Sequence, residues 1–372
     1  MNRHVIRLGS VLGIAIELDY SWFLIFALLT WTLAVGYYPA EFSGWPPVWY
    51  WSLGAITAIM LFVSVLLHEL GHSVVAIGYK IPVRSITLFI FGGVAQIGAE
   101  APNAYAEFWI AIAGPVVSFA LAVLFGLLRP LCGGLPPFLA LVTYLAYING
   151  SLALFNLLPG FPLDGGRVFR AVLWGATGDL GRATRIAGSV GRFVGFLFII
   201  LGVSQVLGGN VLNGLWIAFV GWFLDSAAAS EVRSQMLESL LVGHKVSDVM
   251  SRDYDEIPAY MVLQVLVDQH ILARGQRLFV VKAGDSVVGW VTLDQVKDVP
   301  RYEWPTTTVA QAMVPVGRMK WIRPDVDLVT ALREMNTDGV DQLPVMADSR
   351  VTGMLTREGI TTLLGAAHEL QN

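Results

Sequence analysis

The stretch Leu61-Phe-Val-Ser-Val-Leu-Leu-His68-Glu69-Leu70-Gly71-His72 decides how the rest of the chain is read. On a helix, His68 and His72 stand four residues apart and leave the same face. Two imidazoles can therefore hold one metal ion, with Glu69 beside them as a general base. An H-E-x-x-H helix of this kind points to zinc. About twenty largely apolar residues precede the pair, enough to cross a bilayer, so the ion is expected inside a membrane.

The bulk composition agrees with that setting. A mean hydropathy of +0.63 and a charged fraction of 14% over 372 residues are far too apolar for one soluble domain. Charge is also unevenly shared. Residues 1–240 carry 11 Lys/Arg and 11 Asp/Glu, which leaves 13 and 17 of the totals 24 and 28 to the last 132 residues. A membrane body is thus joined to a soluble, mildly acidic tail. The net charge of −4 provides no basic surface for nucleic acid. The single cysteine, Cys132, excludes an intramolecular disulfide. No small-residue cleavage site follows the first apolar run, so a retained first span is expected rather than a signal peptide.

Apolar runs predict spans over Trp22–Tyr38, Trp49–Gly71, Phe108–Leu128, Phe138–Leu158, Phe193–Leu207 and Leu212–Ala229, the last two short and glycine-containing. With six crossings, Arg3, Arg7, Lys80, Arg84, Arg167, Arg170, Arg182, Arg185, Arg192 and Arg233 fall on one side and Arg129 alone on the other. The side rich in Lys and Arg is the cytoplasmic one, so both termini and the tail are expected there. Between the second and third spans lies Ile81–Gly98, rich in β-formers around Gly92-Gly93. That pattern predicts a hairpin, re-entrant and tucked against the metal helix.

A second polar cluster, Asn156-Leu-Leu-Pro159-Gly-Phe-Pro162-Leu-Asp164-Gly165-Gly166-Arg167, interrupts the end of the fourth span. Its prolines break the helix and its glycines let the backbone turn, so Asp164 can be aimed inward. A carboxylate near the hydrocarbon region costs several kcal/mol unless a cation compensates it. His68, His72 and Asp164 are therefore the proposed ligands of one zinc per chain. Three protein ligands with a fourth position for water make a catalytic rather than a structural site. Glu69 would take the proton of an attacking water and return it to a leaving amine. The Asn156 amide could steady either an oxyanion or the substrate backbone, and both roles stay open.

With HELGH on one span and NLLPGFPLDGG on a later one, the chain resembles the site-2 protease family of intramembrane zinc peptidases. The likeness runs through residues 1 to about 230 and includes Gly92-Gly-Val94 and Ile110-Ala-Ile-Ala-Gly-Pro115. It implies His68, His72 and Asp164 as ligands, Glu69 as the catalytic residue, and membrane-spanning substrates such as anti-sigma or pro-sigma factors. One departure is Ser118, three residues after the Gly-Pro of the third span, where the family commonly has Asn. A membrane-embedded substrate helix hides its carbonyls, so it must unwind before hydrolysis. A strand edge over Ile86–Phe91 or Val94–Ile97 would satisfy the bared groups.

From His244 onward the chain repeats itself with an offset of about 63 residues: Val246-Ser-Asp-Val-Met250 returns as Val309-Ala-Gln-Ala-Met313, and Val288-Gly-Trp-Val-Thr292 as Thr352-Gly-Met-Leu-Thr356. Each copy reads as helix, strand, helix, two strands and helix, and the tail is similar to a tandem pair of CBS domains. The expected fold is a polytopic α-helical membrane body with a re-entrant β-hairpin, followed by a soluble α/β pair. Its divisions are residues 1–230, a linker over 231–243, and modules over 244–303 and 304–366. Such pairs bind adenine nucleotides through a Thr and an acid three residues later. Here Thr292 and Thr356 are followed at that spacing by Gln295 and Gly359, while Asp294 and Glu358 lie one residue early and are expected to point elsewhere. Nucleotide binding and pairing of two chains through the modules both remain open for the tail. His4, His244, His270 and His368 are scattered. The competing readings are a CBS-gated cation transporter, which also places His, Glu and Asp inside a membrane, and a catalytically silent scaffold.

Overall fold

The computed structural model describes residues 5–371 except 91, 133, 275–277, 285, 319 and 348–349. Arg3, His4 and Phe91 lie outside the described residues. The chain divides into two compact units, residues 2–235 and 236–372.

Among the described residues, six helices are long and apolar enough to cross a membrane. They are α1 (Ser21–Glu41), α2 (Pro47–Gly78), α3 (Ala104–Leu128), α4 (Pro136–Asn156), α6 (Leu180–Leu207) and α7 (Val211–Leu241). A shorter helix, α5 (Asp164–Thr177), sits between α4 and α6. Every expected span is present. Two outrun their apolar stretch: α6 starts at Leu180 and α7 continues to Leu241, through the expected linker. Hydropathy marks where a helix meets lipid, not where it ends. Arg182, Arg185, Glu231 and Gln235 are good helix formers, and the Asp179 side chain caps α6 by accepting the Arg182 N–H at 2.9 Å.

The predicted hairpin forms as β3 (Val83–Phe89) and β4 (Gly92–Ile97). It is half of a larger sheet. The N-terminal residues, read from sequence only as the approach to the first span, form β1 (Val5–Val11) and β2 (Ile14–Asp19). The four strands lie in the order β1-β2-β3-β4, with β2 and β3 parallel and the other pairs antiparallel. β3 is therefore paired on both sides over residues 86–88 and offers no free edge there, which corrects the expectation for that stretch. Among the described residues β1 and β4 are the two edges of the sheet, and β4 is the one that lies beside Glu69. Alternation along β2 turns Ile14 and Ile16 inward, where with Ile86 they pack on Leu66 and Leu70 of α2. The sheet thus lies directly on the helix that carries both histidines.

Polar groups inside the helical body hold neighbouring helices to α2. The Tyr38 and Thr57 hydroxyls are 2.6 Å apart, and Asn149 Nδ2 donates to Ser64 Oγ at 3.2 Å. Arg170 corrects the topology reading. It is not a loop-exposed charge but is 6% exposed, ion-paired with Glu107, which is 1% exposed. Its charge is neutralised within the protein, so it carries no weight in the charge bias.

In the second unit, β5 (Glu256–Pro258), β6 (Leu278–Ala283), β7 (Ser286–Thr292) and β8 (Val314–Pro315) form one sheet. β9 (Gln342–Ala347) and β10 (Arg350–Thr356) form another. The cores cut across the sequence copies. Val246, from the start of the first copy, packs with Ile322, Leu328 and Leu355. Val309, from the start of the second, packs with Ile257, Leu263 and Phe279. Ser251 and Met354 exchange two backbone hydrogen bonds of 2.8 Å. Neither copy completes a core alone, which is the physical reason that they occur together.

Candidate metal centre

His68 and His72 lie on the buried face of α2, and Asp164 opens α5. Sequence places them far apart, yet His68 Nε2 lies 3.0 Å and His72 Nε2 3.3 Å from the same oxygen, Asp164 Oδ2. The two Nε2 atoms are 3.2 Å apart. These distances form a nearly equilateral triangle. Ligands at about 2.0–2.1 Å from a tetrahedral zinc are separated by roughly 3.3–3.4 Å, so the triangle matches one face of such a site.

The outward nitrogens decide what the triangle can hold. His72 Nδ1 lies 2.7 Å from the Ile110 carbonyl, which can only accept, so Nδ1 carries the proton and Nε2 keeps its lone pair. His68 Nδ1 lies 2.9 Å from Ser118 Oγ, a hydroxyl that can accept from the same tautomer. Two imidazole lone pairs and a carboxylate oxygen then converge, an arrangement that repels itself unless a cation sits among them. The donor set fits zinc, and the outer hydrogen bonds are those that orient metal-ligating histidines.

One face of α3 supplies this support. Glu107, Ile110, Gly114 and Ser118 recur every three or four residues, and all are buried. Gly114 is required by contact: a Cβ there would collide with His72 Nε2 and lie 2.7 Å from His68 Nε2. On α5, a Cβ at Gly165 would strike the Leu157 backbone. The DGG turn therefore packs Asp164 close under the end of α4.

Glu69 is half-buried on α2, and a Cβ on Gly93 of β4 would come within 2.7 Å of its Cγ. The open strand edge and the candidate base are thus adjacent. Asn156 ends α4 and makes no side-chain hydrogen bond among the described residues. Ser118 is the residue that sequence reasoning undervalued. From sequence it stands only as a departure from the family's usual Asn, yet its hydroxyl lies 2.9 Å from His68 Nδ1. Its i, i+4 spacing from Gly114 on a glycine-bearing helix was the available signal.

In the tail, Thr292 caps a helix through a reciprocal arrangement with Gln295, including the Thr292 N–H to Gln295 Oε1 bond of 2.9 Å. Thr356 Oγ1 accepts the Gly359 N–H at 3.0 Å and lines a cleft together with Asp248, Tyr254, Asp341 and Glu358. Glu358, expected to point elsewhere, faces that cleft, whereas Asp294 is exposed beside Lys297 at 3.6 Å.

Comparison with known proteins agrees with this geometry. The model of peptidase family M50 matches residues 56–132 and 136–202, and that of the CBS domain matches residues 305–366. The chain is 36% identical to the Mycobacterium tuberculosis protein named as zinc metalloprotease Rip3, over 97% of this chain and 93% of the relative. It is 34% identical to the Synechocystis protein named as zinc metalloprotease sll0528, over 98% and 96%. The solved site-2 protease from Methanocaldococcus jannaschii is 31% identical, covering 62% of this chain and 95% of that one with a TM-score of 0.43. Such identity along nearly the whole length, together with the histidine and aspartate triangle, means that this chain belongs to peptidase family M50 and is a multi-pass zinc metalloprotease of the site-2 protease kind with a CBS tail.

Proposed function

We propose that this peptidase hydrolyses a peptide bond within a membrane-spanning partner, of the anti-sigma or pro-sigma factor kind, and that its tail regulates the cleavage. The observation that carries the reading is the triangle of 3.0, 3.2 and 3.3 Å among His68, His72 and Asp164 on helices suited to a bilayer. Zinc, when bound by these residues, supplies the Lewis acidity that makes a water a competent nucleophile near neutral pH.

The chain's own residues do the rest. Glu69, next to His68 on α2, accepts the proton of the attacking water and delivers it to the departing amine. Asn156, at the end of the helix that leads to Asp164, offers an amide to the oxyanion or to the substrate backbone. The open edge of β4 pairs with the unwound substrate and satisfies its bared N–H and C=O groups, each of which costs several kcal/mol in lipid. Gly93, against Glu69, sets that strand beside the reacting bond.

Lys80, Arg84, Arg167, Arg182, Arg185, Arg192 and Arg233, against Arg129, support both termini and the tail on the cytoplasmic side. The tail, read as modules over 244–303 and 304–366, regulates by seating an adenine nucleotide at Thr356 or by pairing two chains. Its cleft is rich in carboxylates, and Arg357 is already engaged by Asp341 at 2.8 Å and Asn336 at 2.7 Å. Calorimetric titration of the full chain with ATP, ADP and AMP separates the two, since heat appears only for the first.

The central test is co-expression of wild-type and Glu69→Gln protein, followed by a search for membrane proteins that stay full-length only with the variant. Equal processing by both would overturn the assignment of Glu69.

A further inference from the structure

Glu107 and Arg170 form a buried ion pair with no part in the chemistry above. Arg170 Nε donates to Glu107 Oε1 at 2.6 Å, and one Nη also reaches that oxygen. The other guanidinium nitrogen, Nη1, is buried without a hydrogen-bond partner. As a source of stability this is poor. A buried pair repays its desolvation only when its remaining donors are satisfied, and an apolar replacement of similar volume is often as stable. An orphaned buried donor adds a further cost of about 1–3 kcal/mol. The pair must be accounted for by position.

The positions are informative. Glu107 and Gly114 lie seven residues apart on one face of α3, about 10.5 Å along the axis. Arg170 and Asp164 lie six residues apart on α5, about 9 Å. Glu107 meets Arg170, and Gly114 meets the imidazoles that meet Asp164. The two helices are therefore joined by two rungs of matched spacing. The ligand rung and the tightly packed Gly165 and Gly166 fix the start of α5. The second rung fixes the helix nearly two turns further on, where its register against α3 is set. The Arg170 guanidinium also lies 5.2 Å from the Phe161 ring centroid, in the loop that leads into Asp164.

We propose that Glu107 and Arg170 are positioning residues that lock the register of α5 against α3, and so hold Asp164 at the distance from His68 and His72 that zinc requires. This rests on the zinc peptidase reading of the centre. Partners that hydrogen-bond a metal ligand typically change metal affinity by about 10- to 100-fold, and a brace that acts through the position of Asp164 is expected at the low end of that range.

The test uses full-length protein in detergent micelles, stripped of metal and titrated with zinc against a competing chelator, with thermal unfolding of the metal-free form alongside. The double variant Glu107→Leu/Arg170→Met should unfold at the wild-type temperature yet bind zinc at least tenfold more weakly. Its kcat should fall while KM stays level, because no substrate contact is touched. Reversing the pair, Glu107→Arg/Arg170→Glu, should recover part of the affinity. A folded double variant with wild-type zinc affinity overturns the inference and leaves the peptidase reading intact. Wild-type protein that binds no zinc overturns that reading itself. If the double variant does not fold, Glu107→Asp decides: the shortened arm must weaken zinc binding without lowering the metal-free unfolding temperature, and unchanged affinity refutes the proposal.

Discussion

Gly114→Ala tests the metal centre through a single methyl group. The added Cβ would overlap His72 Nε2 and stand 2.7 Å from His68 Nε2. Ordinary contact between carbon and nitrogen needs about 3.5 Å, as for other non-bonded pairs. The rings must therefore retreat by most of an ångström or more, or α3 must move away with Ile110 and Ser118. Functional zinc sites tolerate only about 0.2 Å in ligand distance. Both histidines are disturbed at once, so zinc affinity should fall by more than about 100-fold, or about 2.8 kcal/mol at about 1.4 kcal/mol per tenfold. The assay is chelator competition on purified protein, with cleavage of a helical substrate as second readout. Gly126→Ala on the same helix is the control, because nothing lies within 4 Å of its added Cβ. It should leave zinc untouched and gain up to about 1 kcal/mol from helix propensity. A Gly114→Ala protein that keeps zinc within threefold of wild type would falsify the packing argument.

Further outcomes follow from other contacts. Glu69→Gln should retain zinc and fold while losing cleavage, measured by single-turnover hydrolysis in micelles. Ser118→Ala removes the 2.9 Å contact with His68 Nδ1, so zinc binding should weaken about tenfold or more; Ser118→Asn should restore much of it if an amide can reach the same nitrogen. Prolines placed singly over residues 94–97 should stop cleavage without lowering thermal stability where the replaced N–H faces outward from β4, and full activity at every position would eliminate the strand-pairing step. Asp248 accepts the Lys245 N–H at 2.8 Å, and this bond holds its carboxyl below the usual carboxylate range. The stability it adds is present above the unfolded carboxylate pKa of about 4 and drains away as pH falls through the lower folded value. Asp248→Asn should flatten the acid limb of the tail's unfolding profile, and an unchanged limb would remove that assignment.

Much of this protein is readable along one dimension. The helix period brings His68 and His72 to one face, the length of the apolar runs announces six spans, and the offset between Val246 and Val309 exposes the duplicated tail. Each is a local property, set by rise per residue and solvent preference, and needs no knowledge of neighbours. Tertiary structure decided what depends on distances between segments remote in sequence. The meeting of Asp164 with both rings could be argued from chemistry, but the 3.0 and 3.3 Å separations come from helix packing. That β3 is enclosed and β4 is open depends on an N-terminal hairpin 64 or more residues away, too short and mixed in character to announce itself. Arg170 looked like a topology signal because charge bias counts residues without knowing their partners, and only packing revealed Glu107. Ser118, likewise, acquires meaning only when α3 lies against α2, since a hydroxyl matters at 2.9 Å and is silent in a string of letters.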